Sequence, residues 1–278
     1  MLSTKTILPV LVLASLPIAC AARNSSSLAS DTSGAEDVTG TESDVESLGS
    51  SFVGGDGQSV ATQSLTAGSG DIRAMGGGST TVGNPGFYFQ PAGCLQVTTD
   101  KVKQTATYVF DACTGPLGLV ELSGTIDVSW QVAAGKLTID FASQGFKINR
   151  ATIDSWQATA VVTASGNDRE MTWNATLSGT TGRGRAFSRT NQKDLKWTVG
   201  VPCLAVSGQS TGNVLRANLQ TTITSFQRCA DSCPQAGSDI NVKNLDNGDS
   251  IDIKYDGGPQ AELTINGKSQ TIGLACGD

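Results

Sequence analysis

Histidine is missing from all 278 residues. Its absence excludes Ser–His–Asp and Cys–His nucleophilic arrangements and removes the commonest protein metal ligand. Charge is scarce. Asp, Glu, Lys and Arg make up 16% of the chain, and 19 cations against 25 anions leave a net charge of −6. No basic cluster offsets that acidity, so no nucleic-acid partner is expected. Aromatic residues are 5%, too few for the two interfacial girdles of an outer-membrane barrel. Long apolar runs are nearly absent too. The exception, residues 7–18, is apolar apart from Ser15. It is too short to cross a bilayer as a helix. With Lys5 ahead of it, it reads as the hydrophobic region of an export signal.

Cysteine, by contrast, occurs seven times. Cys20 closes the apolar run, and the other six lie in the last two thirds of the chain. The stretch Leu16-Pro17-Ile18-Ala19-Cys20 resembles a bacterial lipobox, with one departure: Pro17 stands where leucine is usual, and Leu16 lies one step further back. The resemblance implies cleavage before Cys20 and a thioether-linked lipid on its sulfur. Ala21 in place of an aspartate after the cysteine implies, by likeness to enterobacterial sorting signals, the outer membrane. The rival is ordinary signal cleavage after Ala21, which would remove Cys20. Either cleavage leaves six cysteines in an oxidising compartment, where pairing is their default fate.

Six sulfurs allow fifteen connectivities. Cys94 and Cys113 flank one predicted hairpin, with its turn near Asp100 and Lys101, and are the favoured pair. Closing that loop stabilises by about 3 kcal/mol in the chain-entropy model. Cys203 with Cys229 and Cys233 with Cys276 are the pairings preferred for the rest, the alternatives among these four staying open.

The chain divides into three parts. Residues 1–20 are the export signal with its lipobox-like end. Residues 21–84 are dominated by Ser, Gly, Thr, Asp and Ala, with single apolar residues such as Val38 and Leu48 and no helix or strand period. No face there buries enough to offset chain entropy, so a disordered tether is expected. Residues 85–278 read as strand after strand. Leu122, Ile126, Val128 and Trp130 alternate with Glu121, Thr125, Asp127 and Ser129. Leu137, Ile139 and Phe141 follow, then Trp156, Ala158, Ala160 and Val162, then Met171, Trp173, Ala175 and Leu177. Leu215, Ala217, Leu219 and Ile223 continue the pattern, as do Ile251, Ile253 and Tyr255, and Ala261, Leu263 and Ile265.

Period two over so many segments predicts antiparallel sheet with one dry face and one wet face. Turn chemistry agrees: Ala134-Gly135, Gly166-Asn167, Asn247-Gly248, Gly257-Gly258 and Asn266-Gly267 fall between the runs. The fold expected is all-β, a single large antiparallel meander of about a dozen strands. It must curl into a barrel-like or sandwich domain to hide its dry face. A weak internal echo relates Trp130 to Trp197, Thr105 to Thr172 and Leu137 to Leu204 at one offset of 67 residues.

Candidate chemistry is thin. The spacing Cys229-Ala-Asp-Ser-Cys233 is not a redox Cys-x-x-Cys, and a disulfide suits it better than zinc. Residues 244–252 hold Asp246, Asp249 and Asp252, but Tyr255 falls where a calcium loop needs a glutamate, so a solvated hairpin tip is preferred. Asp127, Asp140, Asp154 and Glu121 are the acids a sugar hydrolase would use, yet they belong to the wet side. Trp130, Trp156, Trp173 and Trp197 keep phase with aliphatic neighbours, which points to core and not to a carbohydrate platform. Gly182-Arg183-Gly184-Arg185 reads as a turn, since no helix N-terminus follows it.

Five stretches carry a family resemblance. These are Gly93-Cys94-Leu95-Gln96-Val97-Thr98-Thr99, Tyr108-Val109-Phe110-Asp111-Ala112-Cys113-Thr114-Gly115-Pro116, Leu122-Ser123-Gly124-Thr125-Ile126-Asp127-Val128, Arg228-Cys229-Ala230-Asp231-Ser232-Cys233-Pro234 and Leu274-Ala275-Cys276-Gly277. In these the chain resembles uncharacterised exported lipoproteins of myxobacteria and their relatives. The resemblance implies a lipid-anchored β domain and brings no activity. The expectation is therefore a non-enzymatic, structural or interaction lipoprotein of the cell envelope, held to the membrane through an N-terminal lipid, with an envelope protein or polysaccharide as partner. Neither cofactor nor metal is implied. A carrier of lipid or a small apolar ligand under a curved sheet is the alternative, and a carboxylate-dependent hydrolase the weaker one.

Overall fold

A computed structural model describes residues 89–100, 102–114, 121–133, 135–198, 201, 203–229 and 232–274. The expected export signal with Cys20, the expected tether and Cys276 lie outside them. Where apolar and polar residues alternate, strands form: β1 (Leu95–Asp100), β2 (Thr105–Thr114), β3 (Glu121–Ala133), β4 (Lys136–Ile148), β5 (Ala151–Ser165), β6 (Asp168–Thr180) and β7 (Ala186–Thr198). They continue as β8 (Cys203–Val214), β9 (Ala217–Cys229), β10 (Asp239–Asn244), β11 (Ser250–Tyr255), β12 (Gln260–Ile265) and β13 (Lys268–Gly273).

All thirteen make one sheet in chain order, each antiparallel to the next. It is the expected all-β meander, and it is not closed into a ring. The five turn signals sit at hairpin tips. Asn266 and Gly267, with φ of 47° and 77°, supply the two positive values of a type I′ turn. Leu215 departs from expectation. It is the first residue of the β8–β9 tip, with φ 57°, and its side chain faces solvent instead of the dry face.

Register carries the dry face across the sheet. Trp156 lies opposite Leu177 and Ser143, Ala160 opposite Trp173 and Ile139, and Ile139 opposite Trp130. Their inward side chains merge into one apolar cluster running from β1 to β9. Irregular register in β2, β3, β5 and between β8 and β9 marks bulges, which bend strands and let a long sheet curl. Trp156 is fully buried, with its ring centroid 5.6 Å from those of both Phe141 and Phe146. Trp130 and Trp173 are buried on the same face and Trp197 is half-buried, so the indoles are core. A second cluster, Ile253, Tyr255, Ala261 and Leu263, serves the short strands β11 and β12, and Phe226 and Ile240 join the two.

Candidate functional site

On β7 the inward face changes character. Phe187 and Leu195 are ordinary core residues, but the three inward positions between them are Arg189, Asn191 and Lys193, exposed by only 2%, 2% and 6%. In register they stand beside Leu177, Ala175 and Trp173 of β6. On the other side they face Gly212, Ser210 and Gly208 of β8. A cationic column is thus set between an apolar wall and three small inward residues of β8. Burying two cations costs several kcal/mol unless each is held by counter-charge or hydrogen bonds.

The glycines explain how Arg189 is held. Its guanidinium crosses β8 over Gly212 and reaches β9, where Nη1 donates to Leu219 O at 2.7 Å and Nη2 to Thr221 Oγ1 at 3.1 Å. A Cβ on Gly212 would come within 2.0 Å of Ser188 O, and one on Gly208 within 2.2 Å of Gln192 O. At these two positions, with φ of +147° and +142°, a side chain on β8 would run into the backbone of β7.

The 67-residue offset supplies a control inside the same molecule. It carries β3, β4 and β5 onto β7, β8 and β9, with strand starts no more than two residues apart. Leu122, Gly124 and Ile126 then coincide with Arg189, Asn191 and Lys193, while Trp130 meets Trp197 and the buried Ser143 meets the buried Ser210. An apolar column at this place builds the same strand in the first half. The fold does not require the charges, and this makes the β7 column the candidate site.

Arg169, also buried on the inner face, has a local task. Its Nη1 donates to the carbonyls of Gly166 and Asp168 at 2.8 Å each and so staples the β5–β6 turn.

The residues singled out from the sequence are dispersed. Cys94 is bonded to Cys113 and Cys203 to Cys229, the latter two facing each other across β8 and β9. Cys233 is disulfide-bonded as well. Asp127 accepts the Thr107 hydroxyl and Asp140 that of Thr159, both at 2.6 Å on the exposed outer face. Asp154 on β5 and Glu121 at the start of β3 are exposed as well.

In the β10–β11 connection Asn218 donates to both oxygens of Asp246, from its backbone at 2.8 Å and its amide at 2.6 Å, and this holds that carboxyl below the usual range. Asp249 accepts from Asn247 and Asn266. It is a self-bonded hairpin tip, and no group of three Cys, Asp or Glu among the described residues could hold a metal. Residues 181–185 form a tight turn closed by Thr181 N to Arg185 O at 2.9 Å.

The outer face is a lattice of hydroxyls and amides. One register row runs from Thr159 through Asn174, Gln192, Gln209 and Thr222 to Asn241. Its Asn and Gln members on β6, β7 and β8 are exposed. Compared with known proteins, the chain matches no family model, no curated protein and no solved structure. The β7 column was not found by sequence reading, because apolar alternation was the signal sought and β7 breaks it. The signal available was the echo of Trp130 at Trp197, which puts Arg189 and Lys193 in phase with Leu122 and Ile126.

Proposed function

We propose that the chain is a lipid-anchored module of the cell envelope that does no catalysis and binds another envelope component through its outer sheet face. The observation that carries this reading is the outer row of hydroxyls and amides. Its uncharged donors and acceptors, repeated about every 4.8 Å from strand to strand, suit a hydroxyl-rich polymer better than an apolar protein surface. The disulfides are compatible with an extracytoplasmic protein. Resemblance to exported lipoproteins and the lipobox-like end at Cys20 support the anchor and the outer membrane. The absence of histidine, and acids already engaged by threonines, favour a binding role over hydrolysis.

The test is co-sedimentation of the purified chain with isolated envelope polysaccharide, alongside Asn174→Arg and Gln209→Arg. Binding that falls about tenfold in both variants at unchanged melting temperature supports the proposal. Failure to bind, or equal binding by the variants, overturns it. Mass spectrometry of the native protein with and without reductant reports acylation at Cys20 and the number of paired sulfurs.

A second reading, a carrier for a small anionic amphiphile, is favoured by the inner cationic column beside its apolar wall. It predicts that such a molecule co-purifies with the chain.

A further inference from the structure

Every second hairpin tip falls at one end of the sheet. At three such tips in succession, β4–β5, β6–β7 and β8–β9, that end carries Arg150, Arg183 and Arg216, 33 residues apart in each case. All three are exposed. Neighbouring tips lie against one another. A Cβ on Gly182 would come within 2.9 Å of the Arg150 Cβ, and Leu215 N donates to Ala186 O at 2.8 Å. At the next tip Leu245 N donates to Asn218 O at 2.7 Å. No Asp or Glu lies within three residues of the three arginine tips. The acids flanking the row are Glu121 on β3 and Asp246 and Asp249 in the β10–β11 connection, the last two held by Asn218, Asn247 and Asn266. The opposite end mixes signs, with Asp100, Lys103, Lys136, Asp168 and Asp256.

The arginine end also exposes two large aliphatic side chains, Leu215 and Leu245. Folding does not ask for leucine at 215. Its φ is 57°, and at the matching place of the β4–β5 tip the chain has Asn149, with φ 50°, a residue type that tolerates the left-handed region. A branched apolar side chain, exposed and held in a strained conformation, points to a use outside the fold. Arginines beside exposed aliphatics are the combination that suits an anionic lipid interface. We propose that this end of the sheet seats on an anionic membrane surface, with Arg150, Arg183 and Arg216 at the lipid phosphates and Leu215 and Leu245 entering the headgroup–acyl boundary.

Geometry favours a surface over a single small anion. Successive tips stand two strand spacings apart, about 10 Å, so the row is about 20 Å long and meets several headgroups at once. Each arginine held near such a surface strengthens binding about fivefold, less so as salt rises. A polyanion free in solution would use the arginines and have no need of the leucines. The arginines do not cluster in the sequence; antiparallel pairing brings them to one end. Seated this way, the strands rise from the membrane and the outer sheet face stays open, so the inference is independent of how that face is used. It needs no lipid at Cys20, and beside one it supplies the basic second contact of a two-signal anchor.

The experiment uses the full chain from Ala21 onward, which carries no lipid of its own. It measures co-sedimentation at low salt with vesicles of phosphatidylglycerol and phosphatidylcholine in equal parts, and with vesicles of phosphatidylcholine alone. The expected result is binding to the anionic vesicles that is about tenfold or more weaker on the neutral ones. The double variant Arg150→Gln with Arg216→Gln lowers it about 25-fold at unchanged melting temperature. Leu215→Gln with Leu245→Gln also lowers it, by about tenfold or more. Lys136→Gln removes one charge at the opposite end and leaves it unchanged. No binding to anionic vesicles overturns the inference, as does equal binding to both kinds. So does an equal loss in Lys136→Gln, which would make net charge the cause. Binding that depends on the arginines but survives intact in the leucine variant marks a general polyanion site and overturns the membrane assignment.

Discussion

At the scale of single residues, position on the inner face decides consequence. Trp156 is sealed among Phe141, Phe146 and Trp173, whereas Trp197 is half-buried near the strand end. Replacing Trp156 by alanine costs about 3–5 kcal/mol in urea unfolding, and Trp197→Ala much less. Equal losses would contradict the burial order described above. Gly212 shows the same dependence in backbone terms. With φ at +147° and Ser188 O in the way of any Cβ, Gly212→Ala lowers stability by about 2 kcal/mol or more. A neutral result would mean that β7 and β8 separate freely. The residues that reading of the sequence missed, Arg189 and Lys193, are polar at apolar positions. Nothing in their own chemistry announces burial; only the register that sets them beside Leu177 and Trp173 does so.

At the scale of elements, hairpins were legible where turn chemistry is strong and obscure where it is not. Asn266-Gly267 marks its tip by residue type alone. The β8–β9 tip does not, because Leu215 adopts the left-handed region there despite its branched side chain. In the alternating pattern it counts as a dry-face residue, yet it is 60% exposed. The strained conformation is one that glycine takes without a Cβ clash. Leu215→Gly is expected to gain about 0.5–1 kcal/mol, visible as a higher midpoint in thermal unfolding, and a loss would place the strain elsewhere. β7 and β8 were obscure as strands for a related reason. One carries charge inward and the other glycine and serine, so neither shows the apolar half of the alternation.

At the scale of the whole molecule, stability rests on a one-layer core braced by disulfides. Loops of 19 and 26 residues are closed by Cys94–Cys113 and Cys203–Cys229. Reduction is expected to remove about 3 kcal/mol per bond, slightly more for the longer loop, measured as the drop in urea midpoint with reductant. An unchanged midpoint would show that the sheet holds without its braces.

Alkali should act on the same core. Burial pushes the Tyr255 hydroxyl up to about 12, against a smaller downward pull from the Arg228 charge, and burial raises Tyr108 further still. Both are neutral in the folded state where the unfolded chain already ionises near its ordinary value of about 10. Above that pH the unfolded state binds fewer protons. Stability therefore falls with rising pH, by about 1.4 kcal/mol per unit for each tyrosine until the folded group also titrates. Urea midpoints flat from pH 9 to about 11.5 would refute this linkage.

What the sequence by itself determined is whatever depends on neighbours one or two positions away. Alternation of Leu137, Ile139 and Phe141 with polar residues makes a strand and chooses its dry side, because successive side chains point to opposite faces. Asn266-Gly267 makes a turn, because both residues tolerate positive φ. Only the tertiary structure decided which strands lie side by side along the whole meander, that Arg189 reaches across Gly212 to β9, and that β7 presents cations where β3 presents leucine and isoleucine. Those facts depend on register between residues tens of positions apart, and hydrogen-bond pairing across strands is what sets it.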